Sequence, residues 1–122
     1  MNEYNETMDC WKSEIYRVFD CGIFAVSRLV NELAKTNEDW ATEGLSIIAS
    51  EYVVGAYKIV YTVYNWDEPA FEAFMELVRI VEKKGWNNVT IKAIERCTNS
   101  KNKLVRIESQ LILKGHVGGG NL

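Results

Sequence analysis

The chain has 122 residues, of which 48% are hydrophobic and 25% are charged. This length suits one domain, or one small domain with a dimerising appendage, and the apolar content is ample for a core. The formal net charge of −3 excludes a uniformly cationic protein that binds nucleic acids without selectivity.

The first segment carries apolar residues at steps of three or four, which predicts one long amphipathic helix from about Met8 to Ala34. Its apolar stripe is wide, so we expect it to meet more than one neighbour, in the same chain or in a second copy. The stripe consists of Trp11, Ile15, Val18, Gly22, Val26, Leu29 and Leu33, with further hydrophobic residues beside it.

The second segment, Trp40 to Tyr64, is rich in β-branched and aromatic residues, which favour a strand. Its polar residues nevertheless recur at close to the helical repeat, and this spacing predicts a largely buried helix. Glu43, Glu51 and Lys58 indicate a soluble core rather than a membrane span.

Residues 65–69 mark a boundary, because Asp67 can cap a helix and Pro69 is accepted in the first helical turn. The helix that follows has an apolar face. We expect it to end where last-turn lysines are followed by Gly85.

The next helix is short, about two turns. Asn88 or Thr90 can cap it, and Ile91 and Ile94 form its apolar side. The turn-forming residues 97–100 come after it and predict a change of direction.

Ser100 is well placed to cap a last helix, which we expect over Lys101–Leu113. Lys114 and Gly115 predict its end, because a last-turn cation and a glycine commonly close a helix. Its predicted apolar face consists of Leu104, Ile107, Leu111 and Ile112.

The order of residues in this last helix and its exit resembles the recognition helix of winged helix-turn-helix transcription regulators. The residues that carry the resemblance are Leu104, Arg106, Ile107, Leu111, Gly115 and Val117. Thr90, Ile91 and Ile94 are similar to the family's second helix, and the resemblance covers roughly the last 50 residues. The β-hairpin wing is missing, or reduced to a flexible tail at Gly118 to Leu122.

With the preceding helices, this resemblance implies an all-α chain. Residues 1–65 would form an N-terminal helical pair that can dimerise. Residues 66–122 would form a three-helix helix-turn-helix unit, whose last helix lies in the major groove of DNA.

The charge is distributed unevenly along the chain. Residues 1–82 hold six Lys and Arg against fifteen Asp and Glu, a net of −9, whereas residues 83–122 hold eight against two, a net of +6. A basic region that coincides with the helix-turn-helix pattern favours binding to a polyanion.

The resemblance assigns roles to individual residues at the start of the last helix. Asn102 and Arg106 are candidate base readers, because an amide can pair with adenine and a guanidinium with guanine. Ser100 and His116 are further candidate DNA contacts, and His116 can touch a phosphate. The residues expected to contact the DNA backbone are Lys92, Lys101, Lys103 and Lys114, with Lys83 and Lys84.

Enzymatic chemistry is not expected. His116 is the only histidine, so it would have to serve any catalytic pair, and Gly118 to Gly120 precede no helix that could hold a phosphate. We expect no metal and no cofactor. The three cysteines lack the spacing of zinc or redox motifs, and the acidic N-terminus does not suit a signal peptide, so we expect a cytoplasmic protein.

The sequence therefore predicts a DNA-binding transcription regulator that reads duplex DNA, as a homodimer, with the Lys101–Leu113 helix. The main alternative is a small all-helical protein–protein interaction protein of the adaptor or immunity type. A third possibility is a helical RNA-binding subunit of a ribonucleoprotein.

Overall fold

A computed structural model describes residues 12–53 and 69–119 of the chain. These residues form helices and connecting turns with no strand, which confirms the predicted all-α class. None of the helices there combines the length and apolar character needed to cross a bilayer. The helices are α1 (12–19), α2 (Ile23–Lys35), α3 (Asp39–Glu51), α4 (Pro69–Lys84), α5 (Asn88–Cys97) and α6 (Lys103–Gly119).

The single helix predicted from Met8 to Ala34 is wrong, because the chain turns between α1 and α2. Gly22 lies in this turn with a φ of 101°, a conformation that costs other residues energy because of their Cβ atom. The Cys21 amide closes the turn by donating to the Val18 carbonyl at 2.9 Å.

The helix predicted from Trp40 to Tyr64 also ends early. α3 stops at Glu51, and Tyr52 is extended with a ψ of 129°. Tyr52 is buried and its ring packs edge-on against Phe19 of α1, with centroids 5.1 Å apart, which holds the extended residue in place. Residues 54–64 of this prediction lie outside the described part of the chain.

α3 is the central helix. It packs against α2, α4 and α5, and nearly all its residues from Ala41 to Ser50 are buried. One core joins all six helices, and its members include Ile15, Val30, Ile48, Phe74, Ile94 and Val105. Helices on both sides of the predicted boundary at residue 65 share this core, although the boundary itself lies outside the described residues.

α4 ends at Lys84, as predicted, and Gly85 follows it with a φ of 80°. The cap of α5 differs from the prediction, since Asn87 takes this role in place of Asn88 or Thr90. Its side chain accepts from the Val89 and Thr90 amides at 2.8 and 3.0 Å, while Thr90 Oγ1 accepts from the Asn87 amide at 2.9 Å. This reciprocal capping box fixes where α5 begins.

α6 begins at Lys103, two residues later than predicted, and the predicted end at Lys114 and Gly115 is wrong because the helix continues to Gly119. Gly115 has no positive φ, and nothing lies within 4 Å of the position that a Cβ would take. Glycine permits the left-handed conformation without requiring it, so it need not end a helix. The predicted flexible tail is therefore helical at least through Gly119; Gly120 to Leu122 lie outside the described residues.

Candidate functional site

The turn between α5 and α6 is tied to the C-terminal end of α3. Ser100 is 1% exposed, and its hydroxyl donates to the Ala49 carbonyl at 2.6 Å. The Lys101 amide donates to the Ser50 carbonyl at 2.9 Å. These two bonds fix the position at which α6 leaves the core.

Asn102 caps α6 with its own side chain. The side-chain Oδ1 of Asn102 accepts from the Val105 backbone amide at 3.1 Å. The backbone amide of Asn102 donates to Ser100 Oγ at 3.0 Å, and the residue is only 4% exposed. Ser100, the predicted cap, does not cap α6 directly. Its hydroxyl accepts from the backbone of Asn102, which is the residue that caps the helix. Asn102 is engaged in the fold and does not present its amide outward as a base reader would.

Arg106, the second predicted base reader, is half-buried. Its guanidinium donates from Nη1 to the Ser100 carbonyl at 2.8 Å. The bond crosses the turn and reinforces the start of α6. Both predicted base readers therefore make hydrogen bonds within this chain, and the resemblance to a recognition helix does not extend to how their side chains are used here.

The predicted phosphate contacts divide into two groups. Four of the six lysines are exposed, as the prediction requires, and make no ion pair among the described residues: Lys83, Lys92, Lys103 and Lys114. Lys101 and Lys84 are exposed too, but each has a partner in the chain. Lys101 forms an ion pair with Glu51 at 3.1 Å, and Lys84 Nζ donates to the Asn37 carbonyl at 3.3 Å. Glu51 therefore partly neutralises Lys101, whereas Lys84 keeps its full charge.

His116 lies in α6 and is half-buried. Its ring stacks on Trp86, with centroids 4.3 Å apart and the planes inclined by 26°. This contact packs α6 against the loop between α4 and α5, which is a structural role for a residue that we predicted to touch a phosphate.

The face of α6 that points away from the core is apolar at its centre. Ile107 is 42% exposed and Leu111 is 58% exposed, so this part of the predicted apolar face points to solvent. The buried face is formed instead by Val105 and Ser109, with Ile112 partly buried beside them. Apolar residues occur almost all round this helix, so their spacing alone could not fix which side packs inward.

We call Leu104, Ile107 and Leu111 the α6 stripe. They are spaced by three and then four residues, the a, d, a spacing of a coiled-coil heptad. Leu104 is half-buried. A heptad search of the sequence could have identified this stripe, whose three residues belong to the apolar face predicted for the helix.

The stripe is bordered by charged and polar residues. On a helical wheel, Lys103 and Gln110 lie along one edge, and Glu108 lies along the other. Lys114 continues the stripe towards the C-terminus. An apolar centre with a polar border is the general composition of a protein–protein interface.

A groove of about 450 Å³ lies on the surface between the first part of α3 and α5. Its α3 wall carries the carboxylates of Asp39 and Glu43, and its α5 wall carries Lys92 and Arg96. Lys12 Nζ lies 3.5 Å from Glu43 Oε1, so part of the acidic wall is already neutralised. Because carboxylates face them across the groove, Lys92 and Arg96 present a weaker field to a polyanion than their own charges suggest.

The two thiols in the described part of the chain, Cys21 and Cys97, differ in their surroundings. Burial raises the pKa of Cys97 from 9.0 to about 12, against the smaller opposing effect of the nearby Arg96. Cys21 is exposed, and neither thiol forms a disulfide. Within residues 12–53 and 69–119, no group of three His, Cys, Asp or Glu side chains could hold a metal ion.

No protein family, curated protein or solved structure matches this chain.

Proposed function

We propose that this chain is a helical protein–protein interaction module, and that its contact surface is the α6 stripe. The observation that supports this most directly is the exposure of Ile107 and Leu111 side by side on the outward face of one helix. Neighbouring apolar side chains exposed in this way are typical of surfaces that bind other proteins.

The partner that fits this surface is itself an amphipathic helix. Side chains at a and d spacing insert between the side chains of a facing helix, whereas a flat surface gains nothing from that spacing. The charged border selects the partner further, since Lys103 requires a carboxylate opposite it and Glu108 requires a cation.

The side chains of Asn102 and Arg106 make hydrogen bonds within the fold, and for this reason we prefer protein binding to the binding of duplex DNA. A recognition helix needs polar side chains free to reach base edges, and the exposed centre of α6 offers Ile107 and Leu111 there. Thymine methyl groups are the main apolar feature of the major groove, so an apolar helix face has few counterparts in it.

Partner capture with matched variants tests the proposal. The parent chain, an Ile107→Ser, Leu111→Ser variant and a Phe24→Ser control are immobilised, and every captured protein is then purified and its direct binding measured. Phe24 is a suitable control because it is 88% exposed and lies on α2. We expect direct binding to fall at least about tenfold with the α6 variant and to be unchanged with the control. Equal binding by all three chains would refute the proposal.

Duplex DNA remains a second candidate because of one observation. α5 and α6 follow each other along the chain, and four exposed cations lie on them, namely Lys92, Arg96, Lys103 and Lys114. For DNA binding we expect affinity that falls steeply with salt and weakens in a Lys103→Ala, Arg106→Ala variant. Titration at two salt concentrations checks this, and a preference for RNA would favour the ribonucleoprotein alternative.

The exposed free thiol of Cys21 supports the cytoplasmic location that the sequence predicts, because exposed thiols persist in a reducing compartment.

A further inference from the structure

We propose that the helix which covers the α6 stripe belongs to a second copy of this chain, and that the two α6 helices pair in parallel about a twofold axis. This inference rests on the protein-interaction function proposed above. The argument uses three features of α6, namely the heptad register of the stripe, the charges on its two edges, and the side of the helix that faces the core.

The register follows from the stripe itself. With Leu104 and Leu111 at a positions and Ile107 at d, Lys103 falls at g and Glu108 at e. In a parallel pair, the g residue of one helix faces the e residue five positions later on the other. Lys103 therefore faces Glu108 of the partner subunit, and the twofold axis forms this pair twice.

Both groups are available for that pairing. Five residues on a helix span about 140°, so Lys103 and Glu108 of one chain lie on opposite edges of the stripe and cannot reach each other. Among the described residues, neither takes part in an ion pair, whereas Lys101 and Arg79 pair with Glu51 and Glu76.

The charges also select the orientation. In an antiparallel pair, g positions face g positions, so the edge with Lys103 and Gln110 would face the same edge of the partner. That edge carries no carboxylate, so an antiparallel pair gives Lys103 no partner of opposite charge. The parallel arrangement instead gives two attractive pairs, each between Lys103 of one helix and Glu108 of the other.

The shape of the subunit permits a parallel pair. Val105 and Ser109 face the core on the side of α6 opposite the stripe, so two subunits joined through the stripe would lie on either side of the helix pair. Lys114 occupies the next d position and is charged, so the apolar part of the interface is limited to the three residues of the α6 stripe on each helix. Three residues per helix make a small interface, so we expect a dissociation constant of roughly tens to hundreds of micromolar.

Sedimentation equilibrium over that concentration range tests the pairing. We expect the parent chain and the Phe24→Ser control to form dimers, and a Leu111→Ser variant to associate at least about tenfold more weakly. A parent chain that stays monomeric would overturn the proposal, and so would a dimer unaffected by Leu111→Ser. Circular dichroism of each variant verifies that the fold is retained.

A charge-swap experiment tests the parallel register. Lys103→Glu places carboxylates against each other, and Glu108→Lys places ammonium groups against each other, so each variant alone should self-associate roughly tenfold more weakly. An equimolar mixture of the two variants restores both attractive pairs, and we expect it to form a heterodimer about as tight as the parent dimer. A mixture no tighter than either variant alone would overturn the register.

The capture experiment separates the failure of this inference from the failure of the proposed function. If the chain is monomeric but binds a different purified protein through Ile107 and Leu111, self-pairing is wrong and the interaction function stands. If neither self-pairing nor binding depends on these residues, both are wrong.

Discussion

The indole of Trp86 stacks on the imidazole of His116, with ring centroids 4.3 Å apart. Trp86 lies in the loop that joins α4 to α5, whereas His116 lies in the fourth turn of α6. The contact therefore secures the C-terminal half of α6, where the outward residues Leu111 and Lys114 are exposed. A helix held firmly on one side presents its other side as a defined surface.

The stacked pair predicts a measurable contribution to stability. We expect His116→Ala to lower the free energy of unfolding by about 0.5 to 1.5 kcal/mol, because it removes an aromatic contact and part of its buried area. Urea denaturation measures this change. Lys114→Ala is the matched control, since Lys114 is exposed on the same helix two residues earlier. An equal effect of the two substitutions would show that the stack contributes nothing.

The buried hydrogen bonds of Ser100, at the point where α6 leaves the core, predict a second effect on stability. Ser100→Ala removes the donor to the Ala49 carbonyl and the acceptor for the Asn102 amide, both in a buried setting. Unsatisfied buried groups cost about 1 to 3 kcal/mol, so we expect a loss of this size in thermal or urea unfolding. The exposed Ser13→Ala is the control, and we expect it to change stability by less than about 0.5 kcal/mol.

The sequence predicted some helices well because strong local signals mark their ends. Pro69 opens α4, and Gly85 follows it in a left-handed conformation that glycine adopts readily. The break between α1 and α2 was missed because Gly22 falls within the apolar stripe, so the helical spacing continues unbroken across the turn. Periodicity reports which side of a helix is apolar, but not whether the helix is continuous.

The site was harder to predict than the fold. Ser100, Asn102 and Arg106 have residue types that suit DNA contacts, and the same polar groups suit caps and tertiary hydrogen bonds. Which use prevails depends on where the end of α3 lies, and that position is set by tertiary packing. The spacing of Leu104, Ile107 and Leu111 was visible in the sequence, but whether a stripe packs inward or outward is decided by the neighbouring helices.

Cys97 predicts a dependence of stability on pH. In the folded protein its pKa is raised to about 12 from 9.0, because burial penalises the thiolate. Below pH 9 both states keep the proton and stability is unaffected. Above pH 9 the unfolded chain loses the proton while the folded chain retains it, so the stabilising contribution is lost progressively towards pH 12, with about 1.4 kcal/mol lost by pH 10.

Urea unfolding at pH 7, 9 and 10 of the parent chain and of a Cys97→Ala variant measures this effect. The variant is less stable at pH 7 because it leaves a small cavity, but the Cys97 contribution to the pH dependence is absent from it. The difference in unfolding free energy between the two chains should therefore shrink as the pH rises. A difference that stays constant from pH 7 to pH 10 would mean that the thiol ionises equally in both states.

Gly85 and Gly115 predict opposite responses to the same substitution. Gly85 has a φ of 80°, which a Cβ makes costly, whereas Gly115 is helical. We expect Gly85→Ala to destabilise the fold by about 1 kcal/mol, and Gly115→Ala to stabilise it by about 0.5 to 1 kcal/mol because alanine loses less entropy in a helix. Both positions have open space, with nothing within 4 Å of the added Cβ, so neither substitution introduces a clash. The thermal midpoint of each variant tests the prediction, and we expect it to fall for Gly85→Ala and to rise for Gly115→Ala. A lower midpoint for Gly115→Ala would show that α6 ends at the glycine in solution.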